Sequence, residues 1–358
     1  MPHLFIAVTA HGYGHLAQVA PIAQALTCRL PGLRITLQGT LAPAVVAARL
    51  PTGYRHLHED ADVALPMAGP LEVRWEEGLA RYAAFDAEHE RHLAHERDLL
   101  AADPPDLVLA DAPWIPLIAA RELGIPGVGL CSLSWLDILR ESRVGARLPG
   151  DLVAHMRDGY AGAELFIRPA PSMPMAWLPN GRDIGPIAVH RPREPEVVRK
   201  RLGVAQEKRL ALVQFGGAGH LPLGKAEPLP EWLQLVTPDR ELAAAHSGFR
   251  LVGGPGLNVP DVLAACDAVI TKPGYGTFAE AACNGIPVLY VPRSDWPEAP
   301  HLVDWLGRQV PAAPISAADF ITGRIGRPLG QLLDTERTAP VPASGVDEAA
   351  ELLLPYLV

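Results

Sequence analysis

The sequence predicts a two-domain α/β protein in which each domain is built on a parallel β-sheet. Its 358 residues exceed one ordinary domain of roughly 100–200 residues. Short apolar runs alternate with helical segments in both halves, which is typical of parallel sheets. A proline-rich stretch, Pro169 to Pro195, separates the two series and stiffens the connection. We therefore expect an N-terminal domain at 1–180, a C-terminal domain at 181–345 and a terminal helix at 346–358 that packs back toward the N-terminal domain.

The first half begins with a strand that runs into a glycine-rich loop and then into a helix with apolar residues at helical spacing. The same unit recurs twice more before the proline-rich stretch. The predicted strands are Leu4–Thr9, Ile35–Leu37, Leu107–Ala110 and Val128–Leu130, and the predicted helices include Ala42–Leu50 and Ile115–Leu123.

The segment Glu76–Ala102 carries apolar residues on a charged background, which predicts one or two amphipathic helices covering the sheet. His89, His92 and His95 lie within it at helical offsets that could ligate a metal ion. The interspersed Glu and Arg residues favour a charged, exposed helix face instead, so we expect no metal site here.

The second half repeats the alternation and ends in an apolar helical stretch, Val346–Leu354, which should be the docked terminal helix. Its predicted strands are Leu210–Phe215, Ala268–Thr271 and Val288–Val291, and its most distinctive predicted helix is Gly274–Asn284.

Composition narrows the classes of function. Hydrophobic residues make up 49% and charged residues 20%, as in a globular protein. The net charge of −9 and the absence of a long basic cluster argue against a nucleic-acid partner. The basic stretch Arg191 to Arg201 is interleaved with Glu and is typical of a solvated helix face. The oligomeric state stays open.

The cysteines and the apolar runs predict a cytoplasmic protein. The four cysteines show no CxxC spacing, so we expect buried free thiols at Cys28, Cys131, Cys266 and Cys283. No basic leader precedes the first strand, and no apolar run approaches the roughly 20 residues of a transmembrane helix. A reducing compartment fits both observations.

The segment from Thr271 to Ala282 has the pattern strand, glycine loop, helix. Gly274 and Gly276 let the backbone approach a ligand closely, and the helix N-terminus offers unpaired N–H groups to an anion such as phosphate. Glu280 follows early in the helix. It either reaches a ribose hydroxyl or compensates the helix dipole, and its position alone does not decide between the two.

This segment resembles the nucleotide-sugar motif of GT-B glycosyltransferases, with a small-residue loop, a helix-borne Glu280 and the Gly285-Ile286-Pro287 turn before a strand. Residues 272–277 and 293–298 also resemble the glycosyltransferase-like N-terminal region of L-arabinokinases. The kinase module of those proteins has no counterpart in this sequence, so the resemblance does not imply kinase activity. It implies a GT-B fold, in which two Rossmann-like doubly wound domains face each other across a cleft.

In such a fold the C-terminal domain binds a nucleotide-sugar donor, here most simply a UDP-sugar, and the N-terminal domain binds an acceptor that the sequence does not identify. The resemblance implies no cofactor besides the donor. It assigns donor binding to Gly216, Gly217, Lys272, Gly274, Tyr275, Gly276, Thr277, Glu280, Arg293, Asp295 and Glu298.

Several of these assignments have a competing interpretation. The Gly216-Gly217 loop either contacts the diphosphate or is a tight turn without a ligand, and the nearby His220 is either a phosphate contact or merely exposed. Asp295 and Glu298 could bind sugar hydroxyls, although both could be surface charges. Two carboxylates beside a diphosphate repel it, so we expect at least one to point away from the phosphates.

The loop His11-Gly12-Tyr13-Gly14-His15 resembles the Gly-His loop of inverting GT-B enzymes, which makes His15 the first choice for the base that deprotonates the acceptor. His11 remains an alternative. Asp111 resembles the aspartate that orients this histidine, or it caps the helix before Pro113. Tyr13, Trp114 and Trp135 either line an acceptor pocket or belong to the core.

The resemblance, carried by these residues, implies an inverting, metal-independent glycosyltransferase that transfers a sugar to an acceptor hydroxyl. A GT-B site can stabilise the leaving group with helix N-termini and basic side chains instead of a divalent ion, and Lys272 and Arg293 are the plausible cations. A nucleotide-sugar epimerase of the same fold and a non-catalytic nucleotide-sugar-binding module remain alternatives.

Overall fold

The structure is a computed structural model that describes residues 1–9, 11–216, 219, 221, 228–253 and 257–358. The described chain forms two parallel β-sheets, each flanked by helices on both faces. The predicted α/β class with two doubly wound domains is confirmed.

The first sheet has seven strands in the order β3-β2-β1-β4-β5-β6-β7, all parallel. From β1 to β3 successive strands are added on one side of the sheet, and from β4 onward they are added on the other side, so the switch point lies between β1 and β4. The strands are β1 (His3–Val8), β2 (Arg34–Gln38), β3 (Arg55–Leu57), β4 (Leu107–Asp111), β5 (Gly127–Leu130), β6 (Leu165–Pro169) and β7 (Gly181–Ile184). The helices are α1 (Gly14–Arg29), α2 (Pro43–Ala47), α3 (Trp75–Asp86), α4 (His89–Ala102), α5 (Ile115–Glu122), α6 (Trp135–Glu141) and α7 (Gly150–Ala161).

The second sheet has six strands in the order β10-β9-β8-β11-β12-β13, and its order reverses between β8 and β11. The strands are β8 (Arg209–Val213), β9 (Leu233–Thr237), β10 (Phe249–Leu251), β11 (Ala268–Thr271), β12 (Val288–Tyr290) and β13 (Ala312–Pro314). The helices are α8 (Pro195–Leu202), α9 (Arg240–Ala245), α10 (Val259–Ala265), α11 (Tyr275–Cys283), α12 (Ala299–Gln309), α13 (Ala317–Ile321), α14 (Gly326–Leu333) and α15 (Gly345–Leu353).

The first sheet extends beyond the expected boundary at residue 180. Strand β7 pairs with β6 in parallel register, with Phe166 opposite Gly181, so residues 181–184 complete the N-terminal sheet. Sequence reasoning placed them in the C-terminal domain because the surrounding prolines hide a short edge strand.

The terminal helix α15 packs on α1 and β7 of the N-terminal half. Asp347 lies 2.5 Å from Arg29 on α1, and Glu348 accepts a hydrogen bond of 3.1 Å from the backbone N–H of Gly185. Ala349 and Leu353 join the apolar cluster on that face of the first sheet. The chain therefore crosses between the two halves twice, once after β7 and once before α15.

Two local expectations need correction. Cys28 is exposed on α1, whereas the other three cysteines are buried as predicted, because Cys28 falls on the solvent side near the end of that helix. Arg199 does not lie on a solvated face: it is buried and pairs with Asp267 at 2.7 Å.

Among the described residues, no helix is long and apolar enough to cross a membrane.

Candidate active site

A cleft of about 750 Å³ lies between the carboxyl ends of the two sheets. Residues of both halves line it, and the loops come from the points where the strand order reverses in each sheet. In open parallel sheets these switch points are where ligands bind, because the flanking loops diverge there and leave a crevice.

His15 and Asp111 form a buried pair on the N-terminal wall. His15 lies in the first turn of α1, and Asp111 is the last residue of β4, which pairs directly with β1. Nδ1 of His15 is 2.8 Å from Oδ1 of Asp111. Asp111 therefore does not cap the next helix, which begins at Ile115. Among the described residues, no hydrogen-bond partner reaches Nε2 of His15, and the residue lines the cleft.

The surroundings of His11 and His15 shift the pKa values of the two rings in opposite directions. Burial lowers the pKa of His15, but the charge and hydrogen bond of Asp111, together with the charges of Asp62 and Glu298, outweigh it, so the pKa is raised. Burial and the neighbouring His15 and Arg293 lower the pKa of His11 to about 3. The His11 ring stacks on Trp296 at 5.7 Å between centroids. His15 is therefore the histidine equipped to gain a proton.

Sequence reasoning missed two groups behind this pair. The thiol of Cys131 lies 3.7 Å from Nδ1 of His15, and Asp62 accepts a hydrogen bond of 2.8 Å from the indole of Trp135. Burial raises the pKa of Asp62 to about 6. Cys131 directly follows β5, the neighbour of β4, so its place at a strand end was a usable signal. Asp62 lies in a loop, and its position in the sequence gave no such signal.

The helix α11 presents an open N-terminus to the cleft. Gly274 and Gly276 line the cleft, and a Cβ atom at Gly276 would meet nothing within 4 Å. The first N–H groups of a helix have no partner within it. The hydroxyl of Thr277 accepts a hydrogen bond of 3.0 Å from Gln214, at the end of β8. There is room for an anionic ligand against this backbone.

Glu280 also lines the cleft, beyond the first turn of α11. Its position does not support the dipole-compensation interpretation, because that effect falls off after the first turn. Burial raises the pKa of its carboxyl to about 7, with Arg49 acting in the opposite direction.

Lys272 and Arg293 place two desolvated cations side by side on the cleft wall. Burial and the charge of Arg293 lower the pKa of Lys272 to about 7, and burial lowers the pKa of Arg293 to about 10. The guanidinium of Arg293 lies 4.0 Å from the ring centre of Trp296. Within the described part of the chain, no carboxylate pairs with Lys272. Two close cations favour an anion between them.

The two acidic residues predicted to bind the donor sugar, Asp295 and Glu298, differ in whether they line the cleft. Glu298 is buried in the cleft wall and accepts hydrogen bonds from Ser132 at 2.7 Å and Trp296 at 3.0 Å. It thus joins the two halves. Asp295 is not among the described residues that line the cleft. Of the two carboxylates, only Glu298 therefore faces the cleft.

Of the remaining residues predicted for the donor site, some border the cleft and others lie outside the described residues. Tyr275 borders the cleft, but its hydroxyl accepts a hydrogen bond of 2.9 Å from the backbone of Ile187 in the interdomain connection. Gly216 borders the cleft with a φ of +76°, a conformation that favours glycine. Gly217 and His220 lie outside the described residues.

The three aromatic residues predicted for an acceptor pocket also differ in whether they reach the cleft. Tyr13 lines the cleft. Trp114 is wholly buried and stacks on Tyr82 in the core. Trp135 is buried beneath the histidine loop, with its ring 5.3 Å from that of His11. Only Tyr13 is open to an acceptor.

Known proteins resemble this chain in sequence and in fold. The L-arabinokinase of Arabidopsis thaliana is 27% identical over 315 residues, which cover 85% of this chain and 30% of that protein. The UDP-N-acetylglucosamine–N-acetylmuramyl-(pentapeptide) pyrophosphoryl-undecaprenol N-acetylglucosamine transferase of Thermus thermophilus is 28% identical over 187 residues, or 48% of this chain and 51% of that protein. The chain thus spans about a third to a half of these two relatives.

The solved structure of a glycotransferase of kitacinnamycin superposes with a TM-score of 0.61 at 19% identity and covers the whole of both chains. No protein-family model matches the sequence. The two facing doubly wound domains, the cleft at their switch points and these structural similarities together show that the chain has the GT-B fold of glycosyltransferases.

Proposed function

We propose that the chain is an inverting, metal-independent glycosyltransferase that moves a sugar from a nucleotide-diphosphate sugar to an acceptor hydroxyl. One observation carries the proposal: the same cleft holds the His15–Asp111 pair on its N-terminal wall and, on its C-terminal wall, Arg293 beside Lys272, which has no ion-pair partner among the residues that the structure describes. A base and an anion site facing one cavity suit transfer away from a diphosphate.

His15 acts as the general base. Its Nδ1–H donates to Asp111, which leaves Nε2 as the acceptor for the proton of the attacking hydroxyl. Asp111 holds this tautomer and stabilises the imidazolium that forms. The acceptor oxygen forms a bond to the anomeric carbon as the bond to the diphosphate oxygen breaks, so a single displacement inverts the configuration.

The leaving diphosphate gains negative charge in the transition state. Lys272, Arg293 and the N-terminus of α11 supply fixed positive charge at that point, and burial strengthens their effect. The open backbone at Gly274 and Gly276 gives the phosphates close access. In this proposal protein cations do the work that a divalent ion does in metal-dependent transferases, so chelator treatment should leave activity unchanged.

We assign the ribose hydroxyls to Glu280, whose carboxyl can accept their hydrogen bonds and which lines the same cleft. Glu298 already accepts two hydrogen bonds, and we assign the hydroxyls of the donor sugar to its remaining acceptor capacity. We propose a UDP-sugar as donor, with support from the name of the Thermus thermophilus relative, which specifies UDP-N-acetylglucosamine.

The first test is thermal stabilisation by UDP-, GDP- and dTDP-sugars and by the free nucleotides. A ligand that binds only the native state raises the melting temperature with concentration. We expect one nucleotide series to stabilise the protein and the other two to have little effect. If no nucleotide stabilises it at millimolar concentration, the donor site is wrong.

The second test separates transfer from the alternatives. Release of free nucleotide should require both the donor and an acceptor. Turnover of the donor alone would favour a nucleotide-sugar epimerase, and tight donor binding with no turnover in a broad acceptor screen would favour a binding module.

A further inference from the structure

We infer that Asp86, His89 and His155 form a second site, partly buried in the N-terminal half, that binds a transition-metal ion of the zinc class. One ligand atom from each residue lies within 4.8 Å of the others. Asp86 ends α3, His89 begins α4, and His155 lies in the middle of α7. A metal ion here would tie the α3–α4 corner to α7.

Contacts within the cluster show that the three side chains already converge. Nδ1 of His155 is 2.8 Å from Oδ1 of Asp86, and the rings of His89 and His155 stack with centroids 3.7 Å apart. The other two histidines of the segment point elsewhere. His92 stacks on Phe85, and His95 lies 3.3 Å from Glu59. This is why the spacing of His89, His92 and His95 gave no sign of the site.

His89 supplies an independent indication of a ligand. The residue is 7% exposed, and its Nδ1 is buried without a hydrogen-bond partner among the described residues. A buried polar atom without a partner is destabilising, so a ligand bound at Nδ1 of His89 would remove that cost.

The surrounding charge favours a cation. The carboxylates of Asp86, Glu90 and Asp158 all act on the His89 ring in the direction that stabilises positive charge. The His155 side chain is 34% exposed, which leaves an entrance from solvent. Two imidazoles and a carboxylate suit Zn²⁺, with water as the fourth tetrahedral ligand. Coordination requires the two rings to turn out of their parallel stack so that both lone pairs meet the ion.

The site is separate from the proposed catalytic cleft, because none of its three residues lines that cleft. Its predicted effect is on stability and on the packing of α3, α4 and α7, not on sugar transfer. The cleft contains another metal-ligating group, His15, Asp111 and Cys131, whose ligand atoms also lie within 4.8 Å of one another. An experiment must therefore distinguish the two groups.

The test uses the full chain after chelator treatment and desalting. Zn²⁺ is titrated by calorimetry into the wild type, His155→Gln and Asp86→Asn. The matched control is His95→Gln, another partly exposed histidine, and Cys131→Ala removes a ligand of the cleft group. We expect the affinity to fall by about tenfold or more in His155→Gln and Asp86→Asn, and to be retained in His95→Gln and Cys131→Ala.

Melting curves without zinc check that each variant is folded. Histidine-selective ¹⁵N NMR of the wild type reports ring coordination without any substitution: Zn²⁺ should shift two histidines, and His155→Gln should remove both shifts. The inference is overturned if the wild type binds no Zn²⁺ at neutral pH, if both site variants bind it as the wild type does, or if Cys131→Ala alone abolishes binding.

Discussion

Nδ1 of His15 and Oδ1 of Asp111 lie 2.8 Å apart although 96 positions separate the two residues in the chain. The parallel pairing of β1 with β4 brings them together, because the glycine loop after β1 and the end of β4 emerge side by side at the switch point. The pairing distinguishes His15 from His11, which has aromatic rings around it and a lowered pKa.

His15→Ala should lower kcat by about 10²- to 10⁴-fold, the range expected for loss of a general base. His11→Ala is the matched control in the same loop and should change kcat by less than about tenfold. Donor-induced thermal stabilisation shows that both variants still bind nucleotide. If His15→Ala kept full activity, the proposed base would be wrong.

Asp111→Asn should lower kcat and shift the acidic limb of the pH–activity profile to lower pH. Asp111 raises the pKa of His15, and the base works only when neutral, so activity rises as pH passes that pKa. Without the carboxylate charge the pKa of His15 falls. An acidic limb that stays at the wild-type pH would show that His15 is not the titrating group.

Lys272→Met should weaken nucleoside-diphosphate binding by roughly 10- to 100-fold, the loss expected for charged hydrogen bonds. The matched control is Lys200→Met on the exposed side of α8, which should bind normally. The pKa of Lys272 is about 7 in the free protein, and a bound diphosphate should raise it. Wild-type binding above neutral pH should therefore take up a proton, which calorimetry in buffers of different ionisation enthalpy detects, and Lys272→Met should lose this uptake.

Tyr275→Phe should destabilise the fold by about 1–3 kcal/mol, because it leaves the buried N–H of Ile187 without its acceptor. Denaturant unfolding measures the loss. We expect the nucleotide affinity to stay within a few-fold of the wild type. A large loss of affinity with unchanged stability would restore Tyr275 to the role of donor ligand.

Glu96→Gln should stabilise the protein above neutral pH. Burial raises the pKa of Glu96 to about 7, and its Oε1 accepts a hydrogen bond of 2.7 Å from Gln38. When the pKa of a carboxyl is higher in the folded than in the unfolded state, the protein becomes less stable as the pH rises from the unfolded pKa to the folded pKa. The wild-type melting temperature should therefore fall relative to Glu96→Gln between about pH 4.5 and 7. Parallel curves for the two proteins would contradict this.

Much of the fold was predictable because it follows from local patterns. The apolar run of β1, the glycine loop and the helical spacing of α1 lie within thirty residues, and the same holds for β11 and α11. The short strand β7 was missed, since four residues among prolines carry little periodicity. Cys28 was misjudged because an apolar neighbourhood in sequence does not say which side of a helix a residue occupies.

Periodicity and glycine spacing act over a few residues, so the two α/β halves, the glycine loop and the histidine loop are encoded locally and could be predicted. Three relationships became visible only in the folded chain: His15 rather than His11 meets Asp111, Glu298 reaches Ser132 across the cleft, and Asp86, His89 and His155 converge. Those relationships depend on strand order and helix packing over separations of 66 to 166 positions for the distant pairs. The physical reason is that burial and charge act through space, so pKa shifts and partners appear only once distant segments are packed together.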